Sequence, residues 1–590
     1  MSNRRTAHLP VAWLPLCLLV TAAAPALAGT ALKVDPANPH YLNYNDQTLV
    51  LVGMSSEFLP HVTRLSLGAG GEACSSTMTP PSSESKECNF DNLSQCINTL
   101  RHARLNKMQL WIAPNSSKGR IEEKSGKPYC HEQPFLWTGR GWQLDNSDPV
   151  FLKRVLAVLD AANPDILVEV NLFDQWNGFD PHSNPCTFSS SPWTRSNNAI
   201  GPPASGVSVQ FSDTKYMTAY DAVDHQNQNG PNYAPWQQQK LLVKQMVSQL
   251  NSRSNFYWQI ANEPDLIPGC HPALRASDIT AMIKWHTDMA DLIAAQEGAL
   301  PKQHLIGVNF TSTAALNQIA SQIASGSHQF DHIGLVNGHY AGLSTEGGSS
   351  AIQMARKFTI GRALGFNEGR STPCPTLIGS RAEAWEFMLN EGAVYDNYNL
   401  GIFARASDTV RSNLGALAQF LNGLNLAGIS GNQRGSRPNW TTSTFPAYPT
   451  TPTVVSTYWG AMEWPDHQYV VYLHNSTLSQ CAPQQRYIPK CNQAGYQNSF
   501  GVKLGRTGYY KAEWFWPDNM TPVCTTSLHW TGGAAQVSSP RYIYDIALRI
   551  SICPNNGASP CASPAPCPAV RLPPCFAPTE AIACDKLKCN

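Results

Sequence analysis

Two glutamates, Glu263 and Glu368, each close a short apolar run. The first stands in Trp258-Gln259-Ile260-Ala261-Asn262-Glu263-Pro264, the second in Leu364-Gly365-Phe366-Asn367-Glu368-Gly369. Pro264 cannot continue a strand ladder, so the run stops there and its acid is delivered at the strand's end. Two such acids facing one cavity are the equipment for cleaving a glycosidic bond. One protonates the leaving oxygen; the other attacks the anomeric carbon or activates a water. Asn262 precedes the first acid, and His339 and Tyr340 end another run between the two. The histidine and the tyrosine are candidate contacts of the nucleophile and the sugar, with a packed aromatic pair at a strand end as the plainer reading. Glu57 and Asp174 follow other apolar runs and are further candidates, with loop capping or solvation as the plainer reading, and Trp176 stands on the long connection Phe173–Tyr220, expected to shape the substrate groove. Four carboxylates compete. Glu383 and Glu386, three apart on a helical pattern, read as a solvated face. Glu391 lies just beyond them, and Glu346, in a Gly/Ser-rich loop, is the reserve nucleophile.

The elements that position these residues alternate in type. Short apolar runs at Leu49–Ser55, Lys107–Ala113, Ile166–Phe173, Tyr257–Ala261, His304–Phe310, His332–Asn337, Ala363–Phe366 and Leu426–Ser430 read as eight strands buried on both faces. Helically spaced stretches separate them, among them Phe151–Ala161, Asp278–Gln296 and Arg381–Leu389. Eightfold strand–helix alternation predicts an α/β chain closed into a (β/α)8 TIM barrel, whose catalysts sit at the C-terminal ends of the strands. A doubly wound open sheet is disfavoured, because no Gly-x-Gly-x-x-Gly follows an early strand. After Gly431 the pattern changes to alternating runs punctuated by Gly and Pro, which predicts a C-terminal antiparallel β-sandwich. The expected division is a signal peptide at 1–28, a strand segment at 29–48 that is a candidate to join the β-domain, a catalytic barrel at 49–440, the β-sandwich at 441–553 and a Pro/Cys-rich tail at 554–590. The tail reads either as a disulfide-stapled module or as a stiff stalk.

Composition bounds compartment and partners. Arg4 and Arg5, an apolar run from Val11 to Ala22 and the exit Ala26-Leu27-Ala28 have the layout of a cleavable secretory signal. The run is short of the ~20 residues that span a bilayer, so no membrane association is expected after cleavage. Of the 17 cysteines, Cys17 leaves with the signal, and an even number in an exported chain points to disulfides. Neither a pair of Cys-x-x-Cys spacings nor a His-Glu-x-x-His occurs, so no metal and no cofactor are expected. The formal charge of +1 argues against a nucleic-acid partner. Asn-x-Ser/Thr sequons stand at Asn92, Asn115, Asn309, Asn439, Asn475 and Asn519. The expectation is a secreted monomer with a carbohydrate substrate. The alternative is a catalytically inactive barrel that binds carbohydrate or mediates adhesion.

The ordered motifs resemble the retaining glycoside hydrolases of clan A, most of all family 5 and its relatives, over roughly residues 32–550. That resemblance implies Glu263 as acid/base, Asn262 as ligand of the sugar 2-hydroxyl and Glu368 as nucleophile, with His339 and Tyr340 matching the sixth-strand element. It also implies hydrolysis by double displacement. The segment Arg381-Ala382-Glu383-Ala384-Trp385, followed by Gly392-Ala393, resembles relatives that append a collagen-binding-like β-domain. One departure is expected: the stretch taken as strand eight, Leu426–Gly431, has no aromatic to serve as a sugar platform.

Overall fold

The computed structural model describes residues 29–55, 90, 93–114, 134–137, 142–174, 226, 233–265, 276–338, 361–369, 377–397, 408–431, 437–447, 456–478, 487–489, 492 and 494–561. Eight parallel strands close into a barrel: Leu51–Ser55, Lys107–Pro114, Leu167–Asp174, Phe256–Asn262, Ile306–Phe310, Leu335–Gly338, Ala363–Gly369 and Gly392–Asn397. Seven of them match the expected runs. The eighth does not: strand eight is Gly392–Asn397, while Leu426–Gly428 is a 3-10 turn. The strand-eight aromatic was therefore sought on the wrong segment; the strand carries Tyr395, which is fully buried and donates its hydroxyl to Glu383.

The strands are two-sided, which the expectation of uniformly apolar strands missed. Met108, Leu110 and Ile112 of strand two, Val168, Val170 and Leu172 of strand three, and Trp258 and Ile260 of strand four belong to the main apolar core shared with the helices. The alternate positions, Lys107, Gln109, Glu169, Asn171 and Gln259, are polar and fully buried. They form the barrel interior, where each must find a partner or incur a desolvation cost. Glycines make room for them. A Cβ on Gly365 would lie 1.5 Å from Asn337 Oδ1, and one on Gly53 would lie 2.2 Å from the Lys107 carbonyl oxygen.

The N-terminal segment does not join the C-terminal sheet. Lys33–Val34, Leu42–Tyr44 and Gln47–Leu49 form a separate three-stranded antiparallel sheet. Its Leu32, Leu42 and Tyr44 cluster with Leu51, Leu167, Leu335, Ala363 and Val394, near the strand starts. The segment thus plugs the barrel floor and leaves the opposite end for chemistry.

The C-terminal region is a seven-stranded antiparallel sheet beside a two-stranded one, Ser499–Val502 with Ala535–Ser538. The large sheet starts at Ser430–Gly431, earlier than the expected boundary at 441. Its strand Gln468–Leu478 alternates strictly. Tyr469, Val471 and Leu473 face the core shared with the small sheet, whereas Val470 and Tyr472 belong to the barrel's core. Two apolar faces at period two bury this strand on both sides. Among the described residues, no helix is long and apolar enough to cross a membrane.

The barrel helix Leu377–Met388 fills the seam between barrel and sheet. Arg381 donates Nε to Asp545 Oδ2 at 2.7 Å and Nη2 to Asp545 Oδ1 at 2.6 Å. Glu386 bonds His474, and Trp385 stacks on Tyr472 with ring centroids 5.1 Å apart. Glu383 accepts from the Tyr395 hydroxyl at 3.0 Å. The expectation of a solvated face for Glu383 and Glu386 is therefore wrong: both are buried. The sequons at Asn309 and Asn475 are likewise buried and are not modification sites in the folded chain.

Candidate active site

Strand four ends in an unusual backbone. Asn262 is its last residue, and Glu263 follows with φ +45°, the left-handed region that side chains with a Cβ seldom enter. A conformation of this kind persists only where the surroundings impose it, and it is common at functional sites. The restraint is visible. Asp265, two residues on, accepts from the Thr311 amide at 2.8 Å, the Thr311 hydroxyl at 3.0 Å and the Ser312 amide at 2.5 Å. Ser312 in turn caps the helix Thr313–Ala324, accepting from the Ala314 and Ala315 amides. The turn that carries Glu263 is thus tied to the exit of strand five. Burial raises the Asp265 carboxyl above the usual range despite these bonds, which favour its charged form. Asn309, on strand five, donates Nδ2 to Asn262 Oδ1 at 3.1 Å and so fixes the Asn262 amide. Glu263 itself is only 3 % exposed.

Glu368 lies on strand seven, Ala363–Gly369, where the ladder to strand eight is irregular. Phe366 pairs with Tyr395 and Gly369 with Asn397, so strand seven takes three steps where strand eight takes two. Such an extra residue breaks the in–out alternation and re-aims the chain. Asn367, its neighbour, is fully buried. It donates Nδ2 to Glu169 Oε1 at 3.0 Å and accepts from Lys107 Nζ at 3.3 Å. The Lys107 ammonium also contacts Glu169 at 2.9 Å and Asp396 of strand eight. Gln109 Nε2 and the Tyr257 hydroxyl donate to the same Glu169, at 3.2 and 2.7 Å. One cation and two carboxylates thus sit in the barrel, and each oxygen of Glu169 meets two donors. Burial alone would lower the Lys107 ammonium, but Asp396 and Glu169 outweigh it and the group is raised. Burial, with Glu169 beside it, raises the Tyr257 phenol well above its ordinary value.

The two acids therefore stand at the C-terminal ends of strands four and seven of one closed barrel. Asp174 ends strand three, with its Cα in register with Asn262. Glu57, Trp176, His339 and Tyr340 lie outside the described residues, as does the reserve residue Glu346. Sequence reasoning missed Asp265, Asn309, Lys107, Glu169 and Asp396. A signal existed for two of them: a lysine opening strand two and a glutamate amid the valines of strand three are charges within apolar runs.

No protein-family model matches the chain, and no curated protein matches it. Solved structures do. A glycoside hydrolase family 5 protein from Bacteroides vulgatus ATCC 8482 superposes with a TM-score of 0.51 at 9% identity, over 88% of this chain and 93% of that one. A second protein of the same organism, described as a candidate glycoside hydrolase, gives 0.51 at 13% identity, over 90% and 83%. At such identities the likeness shows a shared fold alone.

Proposed function

We propose that this chain is an exported retaining glycoside hydrolase acting on a polysaccharide or glycoconjugate, with Glu263 as acid/base and Glu368 as nucleophile. The observation that carries the reading is the pairing of two backbone irregularities with two acids. Glu263 stands on a left-handed turn at the end of strand four, and Glu368 at the ladder irregularity of strand seven. The glycoside hydrolase identity of the structural neighbours fits the same chemistry. In the first step Glu263 starts protonated and donates to the leaving oxygen while Glu368 attacks the anomeric carbon. In the second, Glu263 takes a proton from water, which displaces Glu368 and frees the sugar with net retention. Asn262, held by Asn309, is oriented to bond the sugar 2-hydroxyl. Asp174, Glu57, Trp176, His339 and Tyr340 are proposed to line the groove. The disulfide Cys553–Cys561, with Cys96 and Cys524 also disulfide-bonded, supports an oxidising destination.

The test is a glycan panel with product stereochemistry read by NMR. The expected outcome is cleavage with retention by the native chain, and loss of turnover in Glu368→Gln with an unchanged circular dichroism spectrum. Inverted product would overturn the nucleophile assignment. Saturable binding of a panel glycan with no product from any would replace the hydrolase by an inactive binder.

A further inference from the structure

A cluster with no direct part in that mechanism lies beneath strand seven. Lys107, Glu169 and Asp396 are fully buried and come from strands two, three and eight. They reach toward the mouth through Asn367, whose amide is gripped from both ends, by Glu169 on its nitrogen and Lys107 on its oxygen. Asn367 stands inside the three-against-two irregularity, directly before Glu368. A charge cluster is an expensive way to fill a barrel, since desolvating ions outweighs most of their mutual attraction. Apolar side chains of similar volume would serve a purely structural need at least as well. What they could not do is hold an amide in one orientation from two sides.

We infer that Asn367 is a positioning residue. Through it the Lys107–Glu169–Asp396 cluster pins the strand-seven irregularity and so sets the gap between the Glu368 and Glu263 carboxyls. This rests on the roles proposed for those two acids. Gly53 supports the same design, because any side chain there would meet the Lys107 backbone and push Lys107 away from Asp396.

The gap can be read without any substrate, from how strongly the two carboxyls feel each other. At about 5 Å and an effective dielectric near 20, one carboxylate raises a neighbour's titration midpoint by about two pH units. Glutamate labelled with carbon-13 at the carboxyl, titrated by NMR, reports it; the difference from Glu263→Gln assigns the Glu263 signal. In the native background, Glu368→Gln should lower the Glu263 midpoint by about one to two units. In the Asn367→Ala background the same replacement should move it by less than half as much. Asn367→Ala strands no buried charge, because Glu169 keeps Lys107, Gln109 and Tyr257. Should it not fold, Asn367→Ser, too short to span both partners, carries the same comparison. An equal shift in both backgrounds overturns the positioning role and leaves the two acids in place. No shift in the native background overturns the pairing of the acids itself.

Discussion

Arg381→Met should weaken the whole molecule by an amount that the seam geometry sets. Arg381 and Asp545 are 5 % and 3 % exposed, and the guanidinium grips both carboxylate oxygens. The Tyr472 hydroxyl donates to Asp545 Oδ2 at 2.8 Å, so the anion has one further partner. Burial alone would lower the guanidinium, but Asp545 outweighs it and the group is raised. Methionine keeps most of the side chain's volume and removes the charge, which leaves Asp545 buried with a single phenolic donor. Stranding a buried charge in this way costs about 3–5 kcal/mol. The chain has 590 residues, and unfolding entropy near 2.1 cal/mol/K per residue gives roughly 1.2 kcal/mol per degree. If barrel and sheet unfold together, scanning calorimetry should show a melting point about 2–4 °C lower. Asp545→Asn should cost a similar amount. The double variant Arg381→Met/Asp545→Leu strands no charge, only the neutral Tyr472 hydroxyl, and should recover most of the loss. Single variants that melt within half a degree of the native chain would refute the argument. So would a double variant as unstable as the two losses added.

Two further outcomes follow from buried groups. His286 is 1 % exposed, and its Nδ1 bonds the Met282 carbonyl at 2.8 Å; burial pushes its pKa down to about 4 from 6.5. Below pH 6.5 the unfolded chain takes up a proton that the native state refuses, so stability falls as pH drops toward 4 and is flat below it. The contribution is about 3 kcal/mol across that window, and guanidinium titrations of His286→Gln at pH 7 and pH 4.5 should show a smaller difference than the native chain does. Gly365→Ala puts a methyl 1.5 Å from Asn337 Oδ1, whose amide nitrogen is held by Gln259 at 2.6 Å. It should lower stability by about 1–3 kcal/mol, seen as a lower denaturation midpoint with unchanged slope; a neutral result would mean that the interior polar layer repacks freely.

Legibility in the sequence tracked how local each determinant is. Asn262-Glu263-Pro264 could be read because the strand, its stop and its acid are contiguous. Strand eight was missed because Gly392–Asn397 mixes Val394 and Tyr395 with Asp396, which meets Lys107 in the polar barrel interior, and Asn397, which donates to the Tyr395 hydroxyl. Leu426–Ser430 looked better as an apolar run because it supplies Leu426 and Ile429 to the core, though from outside the barrel strands. The Leu377–Met388 helix was misread for a related reason. Glu383 and Glu386 have the spacing of a solvated face, and the residues that cover that face, His474 and Asp545 among them, arrive about 90 to 160 residues later. Asp265 and Asn309 escaped notice because their role exists only across the strand four–strand five contact.

The placement of strain and charge in this barrel follows one logic. Regular strands alternate, so a strand that turns its even residues to the helices and its odd ones to the interior offers no freedom to aim a terminal acid. Both acid-bearing strands escape that constraint by departing from regularity, strand four through a left-handed residue at Glu263 and strand seven through the extra residue before Gly369. Each departure has backbone groups or side chains anchored by a buried carboxylate, Asp265 on one side and Glu169 on the other. A chain selected only for stability would favour straight strands and an apolar interior. That a left-handed residue falls at Glu263 and an extra strand-seven residue beside Glu368, each departure held by a buried ionisable group at a desolvation cost, is the physical reason for proposing this rim as the place where the molecule does its chemistry.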